Sequence, residues 1–199
     1  MPPRFFIINH PKHRWGDYGD ILTHGMAHRV DGVLEIERTG PFVPTMTLPG
    51  IGEVVVTEET RQVLGRSGLK GFGFEPVVKR LIVRSDWNMW DQEADEPAEH
   101  PESGEPEDYV LGQPHSAEAD EEMGDVWALE LNRDAQTIRE QPIVEHRRQI
   151  KLVTSTWRGQ DIFGAEGVGF VYVTEAGKVW FERNVPGQLA FEEAATAEA

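Results

Sequence analysis

Four of the seven histidines, His10, His13, His24 and His28, fall within a stretch of 19 residues, and neutral imidazole is a good zinc or copper ligand. If the segment around His24 and His28 is helical, these two share a face, and His10 and His13 arrive from the preceding loop. Gly16, Gly19 and Gly25 interrupt that frame. The expectation is therefore histidines that are hydrogen-bonded or at the surface, with neither a metal nor a cofactor; Asp17 and Asp20 could as readily pair with these histidines as with a metal. A metal-dependent enzyme built on them ranks last among the readings below. Ser67, Ser85, Ser103, Ser116 and Ser155 lie outside any GxSxG elbow. The glycine-bearing segments lack GxxxxGK[ST], so no phosphate loop is expected. Paired carboxylates are abundant only between Asp91 and Asp125, where solvation does not raise a carboxyl pKa for general-acid work. No catalytic set emerges.

The more suggestive chemistry is that of binding. Trp87 and Trp90 stand directly before the acidic run that opens with Asp91, Glu93, Asp95 and Glu96. Aromatic side chains anchor interfaces, and carboxylates steer a basic partner toward them. These six residues form the candidate partner-binding site; the alternative is that Trp87 or Trp90 closes the core at a strand end. Trp127, Trp157 and Trp180 are assigned to strands or their edges, and Trp15 to covering the N-terminal loop. From Asp91 to Asp125, 35 residues hold 14 acidic side chains and no Lys or Arg. With Pro97, Pro101, Pro106 and Pro114 and few large apolar residues, this stretch is expected to be a mobile, self-repelling insertion. It serves either as a passive linker or as an anionic docking arm.

The elements that must position such a site are legible in a repeat. A shift of 117 residues lays Gly50–Glu75 on Gly167–Glu192 without a gap, and nine of 26 positions are identical, among them Val54/Val171, Val56/Val173, Thr57/Thr174 and Glu58/Glu175. Each copy predicts strand, helix, strand. The VVVT and VYVT runs suit buried strands, Thr57 and Thr174 suit helix N-caps, and Glu58 and Glu175 suit the positive first turn. Gly68 and Gly71 end the first helix, and Pro186 and Gly187 end the second. Phe74 begins an extended run through Arg84. Further strands are expected at Phe5–Ile8, Val33–Glu37, Val126–Leu131 and Ile143–Val153, and Asn132–Gln141 is a short helix or a turn. The predicted architecture is α+β: two related strand-helix-strand lobes on mainly β structure, with the acidic insertion between them. The N-terminal lobe spans 1–90, the insertion 91–125 and the C-terminal lobe 126–199.

Composition bounds what this arrangement does. The chain has 199 residues, 39% of them hydrophobic, with 35 Asp+Glu against 19 Lys+Arg, a formal charge of −16 and no cysteine. That length supports a sizeable core. The lack of cysteine removes disulfides, thiol nucleophiles and thiolate metal sites. Net negative charge opposes direct binding to nucleic acid or anionic lipid. No run of about 18 apolar residues occurs, and the opening MPPRFFIINHPKHRWG is too weakly apolar for a signal peptide. A cytoplasmic protein without membrane contact is expected.

The stretch KHRWGDYGDILTHG, from Lys12 to Gly25, resembles the opening of the double-CXXCG-motif proteins known mainly from myxobacteria. WRGQDIFGAEGVGFVYVTE, from Trp157 to Glu175, resembles their second landmark, a D-L/I-F segment followed by strand and helix. Members of that family include predicted immunity proteins, so the resemblance implies a stoichiometric inhibitor of a cognate toxin with no reaction of its own. This chain departs from the pattern: Ile21, Leu22, Thr23, His24 and Gly25 stand where the first CXXCG would be. A zinc knuckle of the family type cannot form, and no ligands are carried over. The expected function is immunity-type neutralisation through one protein partner with a basic surface or cleft. The runner-up is a regulatory inhibitor or chaperone-like partner of an endogenous enzyme such as a secreted protease.

Overall fold

Strand pairing is set by β-branched and aromatic runs that alternate between two apolar faces. The computed structural model describes residues 3–50, 52–139 and 150–198. Among them the fold is mainly β, with four α-helices. The elements are β1 (Phe5–Asn9), α1 (Asp17–His24), β2 (Met26–Val30), β3 (Val33–Gly40), β4 (Met46–Gly50), β5 (Glu53–Thr57), α2 (Glu58–Gly65), β6 (Phe72–Pro76) and β7 (Val78–Arg84). They continue with α3 (Ala117–Met123), β8 (Val126–Leu131), β9 (Thr137–Arg139), β10 (Ile150–Val153), β11 (Ile162–Ala165), β12 (Val168–Thr174), α4 (Glu175–Asn184), β13 (Ala190–Glu193) and β14 (Thr196–Ala197).

Two four-stranded sheets, β4-β5-β8-β6 and β11-β12-β1-β13, carry the centre. In each, a hairpin strand pairs with the strand that feeds a helix, and the strand leaving that helix is separated from it by a strand from elsewhere in the chain. β8 lies antiparallel between β5 and β6, with Val56 opposite Trp127 and Phe74 opposite Leu129. β1 lies antiparallel between β12 and β13, with Phe6 opposite Val173 and Glu193. The sheets thus cross the boundaries expected from the chain: β1 of the N-terminal segment completes the sheet of the C-terminal one, and β8 does the reverse.

Side-chain alternation gives both sheets two buried faces. Val54, Val56, Leu129, Phe6, Ile8, Val171 and Val173 meet in one cluster with Leu64 of α2 and Phe181 of α4. The opposite faces are covered separately. Val55 and Ala128 pack on Leu34 and Ile36 of β3, in the three-stranded sheet β2-β3-β7. Phe5 and Tyr172 pack with Leu152 of β10 and Phe163, over the sheet β14-β10-β9.

Helix starts follow from local chemistry. The Thr57 hydroxyl accepts the Thr60 amide at 3.4 Å, and the Thr174 hydroxyl accepts the Gly177 amide at 3.3 Å. Hydrogen bonds from Arg61 hold the Glu58 carboxyl down to about 2, and Glu175 is salt-bridged to Arg4 at 3.4 Å.

Several expectations are corrected. The run from Phe74 to Arg84 breaks at Val77 into β6, paired with β8, and β7, parallel to β3. Asn132–Gln141 contains no helix in its described part; Ala135 bridges to Ala165, and β9 follows. Of the strand expected at Ile143–Val153, β10 covers the last four residues, and positions 143–149 lie outside the described residues. Trp180 is helical, on α4.

The acidic segment is not an unanchored arm. Ala119 and Met123 of α3 pack on Ile82 of β7, Val110 is fully buried, and Tyr109 and Trp90 join the aromatic cluster of α1. Lys79 donates to the Asp120 and Gly124 carbonyls at 2.7 and 3.0 Å. The Ser116 amide donates to Ile82 at 2.8 Å, and the Tyr18 hydroxyl donates to the Gly104 carbonyl at 2.6 Å. The anchoring partners come from α1 and β7, which a tally of the segment's own residues omits.

Because one cluster joins both sheets, truncating it anywhere should destabilise the whole. Leu129→Ala is expected to cost about 2–5 kcal/mol in urea unfolding. Tryptophan fluorescence and far-UV circular dichroism should keep a common transition; separate transitions would mean the sheets fold independently.

Candidate functional site

The histidines converge at one end of α1. This helix runs between Gly16 and Gly25, both at positive φ. Gly25 brings the helix end against β3 so closely that a β-carbon there would lie 2.5 Å from the Arg38 Cβ. Gly19 likewise admits His13, whose Cβ would meet an added methyl at 2.6 Å.

His24 is 5% exposed, and its Nδ1 lies 3.2 Å from the Leu48 amide nitrogen. An amide can only donate, so Nδ1 accepts and the proton of the neutral ring sits on Nε2. From there it is donated to His13 Nε2 at 3.4 Å. His10 completes the group, its ring centroid 5.1 Å from that of His24. Burial pushes the His24 pKa down to about 3, reinforced by His13, His10 and Arg38. Burial also lowers the pKa of His13, against the attraction of Asp20. Arg38 is itself fully buried and lowered to about 10 by desolvation. It donates to the Thr23 carbonyl at 3.0 Å, in the last turn of α1.

Asp20 Oδ1 stands 3.4 Å from His10 Nδ1 and 3.9 Å from His13 Nε2, yet is buried without a hydrogen-bond partner among the described residues. The structure thus brings His10, His13, His24 and Asp20 together. It leaves His28 on exposed β2, 3.5 Å from Glu35. Among the described residues no set of three or more such side chains is arranged to hold a metal ion. The Leu48 contact gives a local reason, since it takes the lone pair of one His24 nitrogen and leaves a proton on the other.

Of the two alternatives for the tryptophan pair, Trp87 follows the one in which it closes a core. Trp87 is 6% exposed and packs with Trp15 and Leu22, with Trp90, Tyr18 and Tyr109 at the border. Trp15 donates its indole N–H to the Ala94 carbonyl at 3.0 Å, whereas the buried Trp87 Nε1 has no partner among the described residues. Trp87 lines a cleft of about 410 Å³ together with His13, His24, Phe42, Met46 and Gln188. Gln188 is fixed there by accepting the Thr45 hydroxyl at 2.8 Å and the Met46 amide at 3.0 Å. Asp91, Glu93, Asp95 and Glu96 are exposed, and Arg14 pairs with Glu93 at 3.3 Å and Asp95 at 2.7 Å.

A second acidic feature escaped the sequence reading. Asp17, Asp20, Glu105 and Glu107 line a recess of about 330 Å³. The turn Pro106–Tyr109 reaches α1 because Tyr18 holds the Gly104 carbonyl and packs edge-on to Tyr109 at 6.1 Å. Nothing local in the sequence marks that meeting.

His24 makes stability depend on pH. Its folded pKa lies below the unfolded value of 6.5, so its contribution is complete above 6.5 and is lost as pH falls toward 3. Between pH 7 and 5 it should cost about 2 kcal/mol. His24→Asn keeps an acceptor for Leu48 without a titrating ring, so its urea midpoint should fall less steeply over that interval; parallel curves would contradict this assignment. No helix among the described residues is long and apolar enough to cross a membrane. The chain matches no protein-family model and no curated protein.

Proposed function

We propose that the protein is a non-enzymatic binding protein that neutralises a cognate toxin by stoichiometric complex formation in the cytoplasm. The observation that carries this reading is the acidic segment folded onto α1 and β7 with most of its charge uncompensated. Arg14, Lys79 and Arg84 pair with Glu93, Asp95, Asp120, Glu118 and Glu122, and His100 faces Glu96. Asp91, Glu99, Glu102, Glu105, Glu107, Asp108, Glu121 and Asp125 have no cationic partner among the described residues.

A fixed array of like charges is unfavourable to the isolated protein and favours a partner of opposite sign. Toxins that act on nucleic acid or nucleotides need basic clefts, because phosphate binding requires positive charge. The recess of Asp17, Asp20, Glu105 and Glu107 suits a lysine or arginine from such a cleft. The resemblance of Lys12–Gly25 and Trp157–Glu175 to the double-CXXCG-motif proteins agrees with this reading. The two strand-helix-strand units, with their matched threonine caps, are inferred to be copies of one ancestral unit that supplies a rigid body behind the charged face.

Capture from the native cell with a tagged chain should recover one basic protein in stoichiometric amount. Because deleting 91–125 would strip buried Val110, Ala119 and Met123, the sharper variant is E99Q/E102Q/E105Q/E107Q. It should associate about tenfold more slowly with that partner and flatten the salt dependence. Absence of a stoichiometric partner, or turnover by the purified chain, would overturn the proposal.

A further inference from the structure

We propose that the paired cavities beside α1 bind a small organic monoanion, a carboxylate carried on a ring-sized apolar body. The carboxylate sits at His13, Thr23 and Lys12, and the body lies against Phe42 and Met46. The inference goes beyond the binding reading above, since it assigns a small molecule, opposite in charge to the expected protein partner, to a different part of the surface.

The cleft of about 410 Å³ and a smaller cavity of about 180 Å³ share His13, Thr23, Trp87 and Gln92 as walls. The larger has an apolar side made by Phe42, Val43, Pro44 and Met46, and its volume lies in the range that takes a small molecule. The smaller adds Lys12 and Arg14. In a chain of formal charge −16, no aspartate or glutamate lines either cavity. Glu93 and Asp95 are paired with Arg14, and Asp20, 3.9 Å from His13 Nε2, lines the separate recess with Asp17. Lys12 has no ion-pair partner among the described residues. Behind the shared wall, fully buried Arg38 donates to the Thr23 and Thr39 carbonyls and has no carboxylate partner among the described residues. Its field reaches the His24 ring, whose pKa it helps to lower. A buried cation with only neutral partners favours an anion nearby.

The shared wall also carries donors without acceptors. The Leu48 amide donates to His24 Nδ1 and His24 Nε2 donates to His13 Nε2, which leaves the proton of neutral His13 on Nδ1. That N–H has no acceptor among the described residues. Thr23 is 9% exposed, yet its hydroxyl has no hydrogen-bond partner among the described residues, and its oxygen keeps accessible surface where the Trp87 indole nitrogen does not. Leaving such donors unpaired is costly, and a bound acceptor recovers that cost. An N–H and a hydroxyl, with an ammonium in the adjoining cavity, match the two oxygens of a carboxylate. Because Arg14 is already paired, the free charge of the set is that of Lys12 alone. A monoanion balances it, whereas a phosphate monoester near charge −2 does not. The apolar side of the cleft calls for a hydrophobic body attached to the acid.

The test titrates phenylacetate into the full ¹⁵N-labelled chain and follows the amide signals. A saturable response with a Kd on the order of 0.1–1 mM is expected for a ligand of this size. The neutral isostere phenylacetamide, the cation phenethylammonium, and acetate, which lacks the apolar body, should each bind at least about tenfold more weakly. Lys12→Met should weaken phenylacetate about tenfold. Thr23→Val keeps the shape without the hydroxyl and should weaken it roughly three- to tenfold, with far-UV circular dichroism unchanged. E99Q/E102Q/E105Q/E107Q, which alters the proposed partner surface, should bind the acid at least as tightly as the parent chain. No saturable response, equal binding of phenylacetamide, or parental affinity in folded Lys12→Met and Thr23→Val would overturn the inference. Binding of the acid without recovery of a stoichiometric partner leaves this site standing while the toxin reading falls. A recovered partner with no response to the acid gives the reverse.

Discussion

Phe6 and Ile8, near the start of the chain, share one core with Val171 and Val173, near its end, and with Val54, Val56 and Leu129 between them. This follows from the reciprocal placing of two central strands, β1 between β12 and β13, and β8 between β5 and β6. Each strand supplies hydrogen bonds on both edges and apolar side chains on both faces, so neither sheet is complete without a segment from the other half of the sequence. The ends of the chain and its middle are therefore ordered together. The loops that follow β1 and precede β13 are carried to the same side as α1, where the cleft forms.

The acidic segment depends on that body for its order. A peptide of this composition buries too little of its own surface to offset chain entropy. Its anchors are the Trp15 indole just before α1 and the Tyr18 hydroxyl on α1, which hold the carbonyls of Ala94 and Gly104, and β7, against which α3 packs. Order is supplied from outside the segment, and the carboxylates are left facing solvent. The outcome is a charged surface with a fixed shape, which suits selective capture better than a freely moving tether.

Around His24 the same economy of polar groups applies. Buried Arg38 sits behind the helix end and helps to keep His24 neutral, and neutrality lets its Nδ1 accept the Leu48 amide. That contact joins α1 to β4, the strand that also borders the cleft. Three observations, the neutral imidazole, the half-paired Asp20 and the unpaired indole of Trp87, lie within one neighbourhood. His24 and Trp87 line the cleft of about 410 Å³, and Asp20 lines the recess of about 330 Å³.

By itself the sequence determined the local features. The runs Phe5–Ile8, Val33–Glu37 and Val126–Leu131 were legible as strands because β-branched and aromatic residues alternate over a few positions. Thr57 and Thr174 were legible as helix starts because a cap acts on an amide three residues ahead. The partition of charge into Asp91–Asp125 could be counted. Tertiary structure decided which strands are neighbours, that His24 meets Leu48 while His28 points away, that Trp87 is buried beside a cleft, and that Glu105 and Glu107 approach Asp17 and Asp20. Each of these depends on contacts between residues far apart in the chain, whose free energy comes from shared burial and from backbone groups that must find partners. Local spacing carries no record of which distant segment satisfies them.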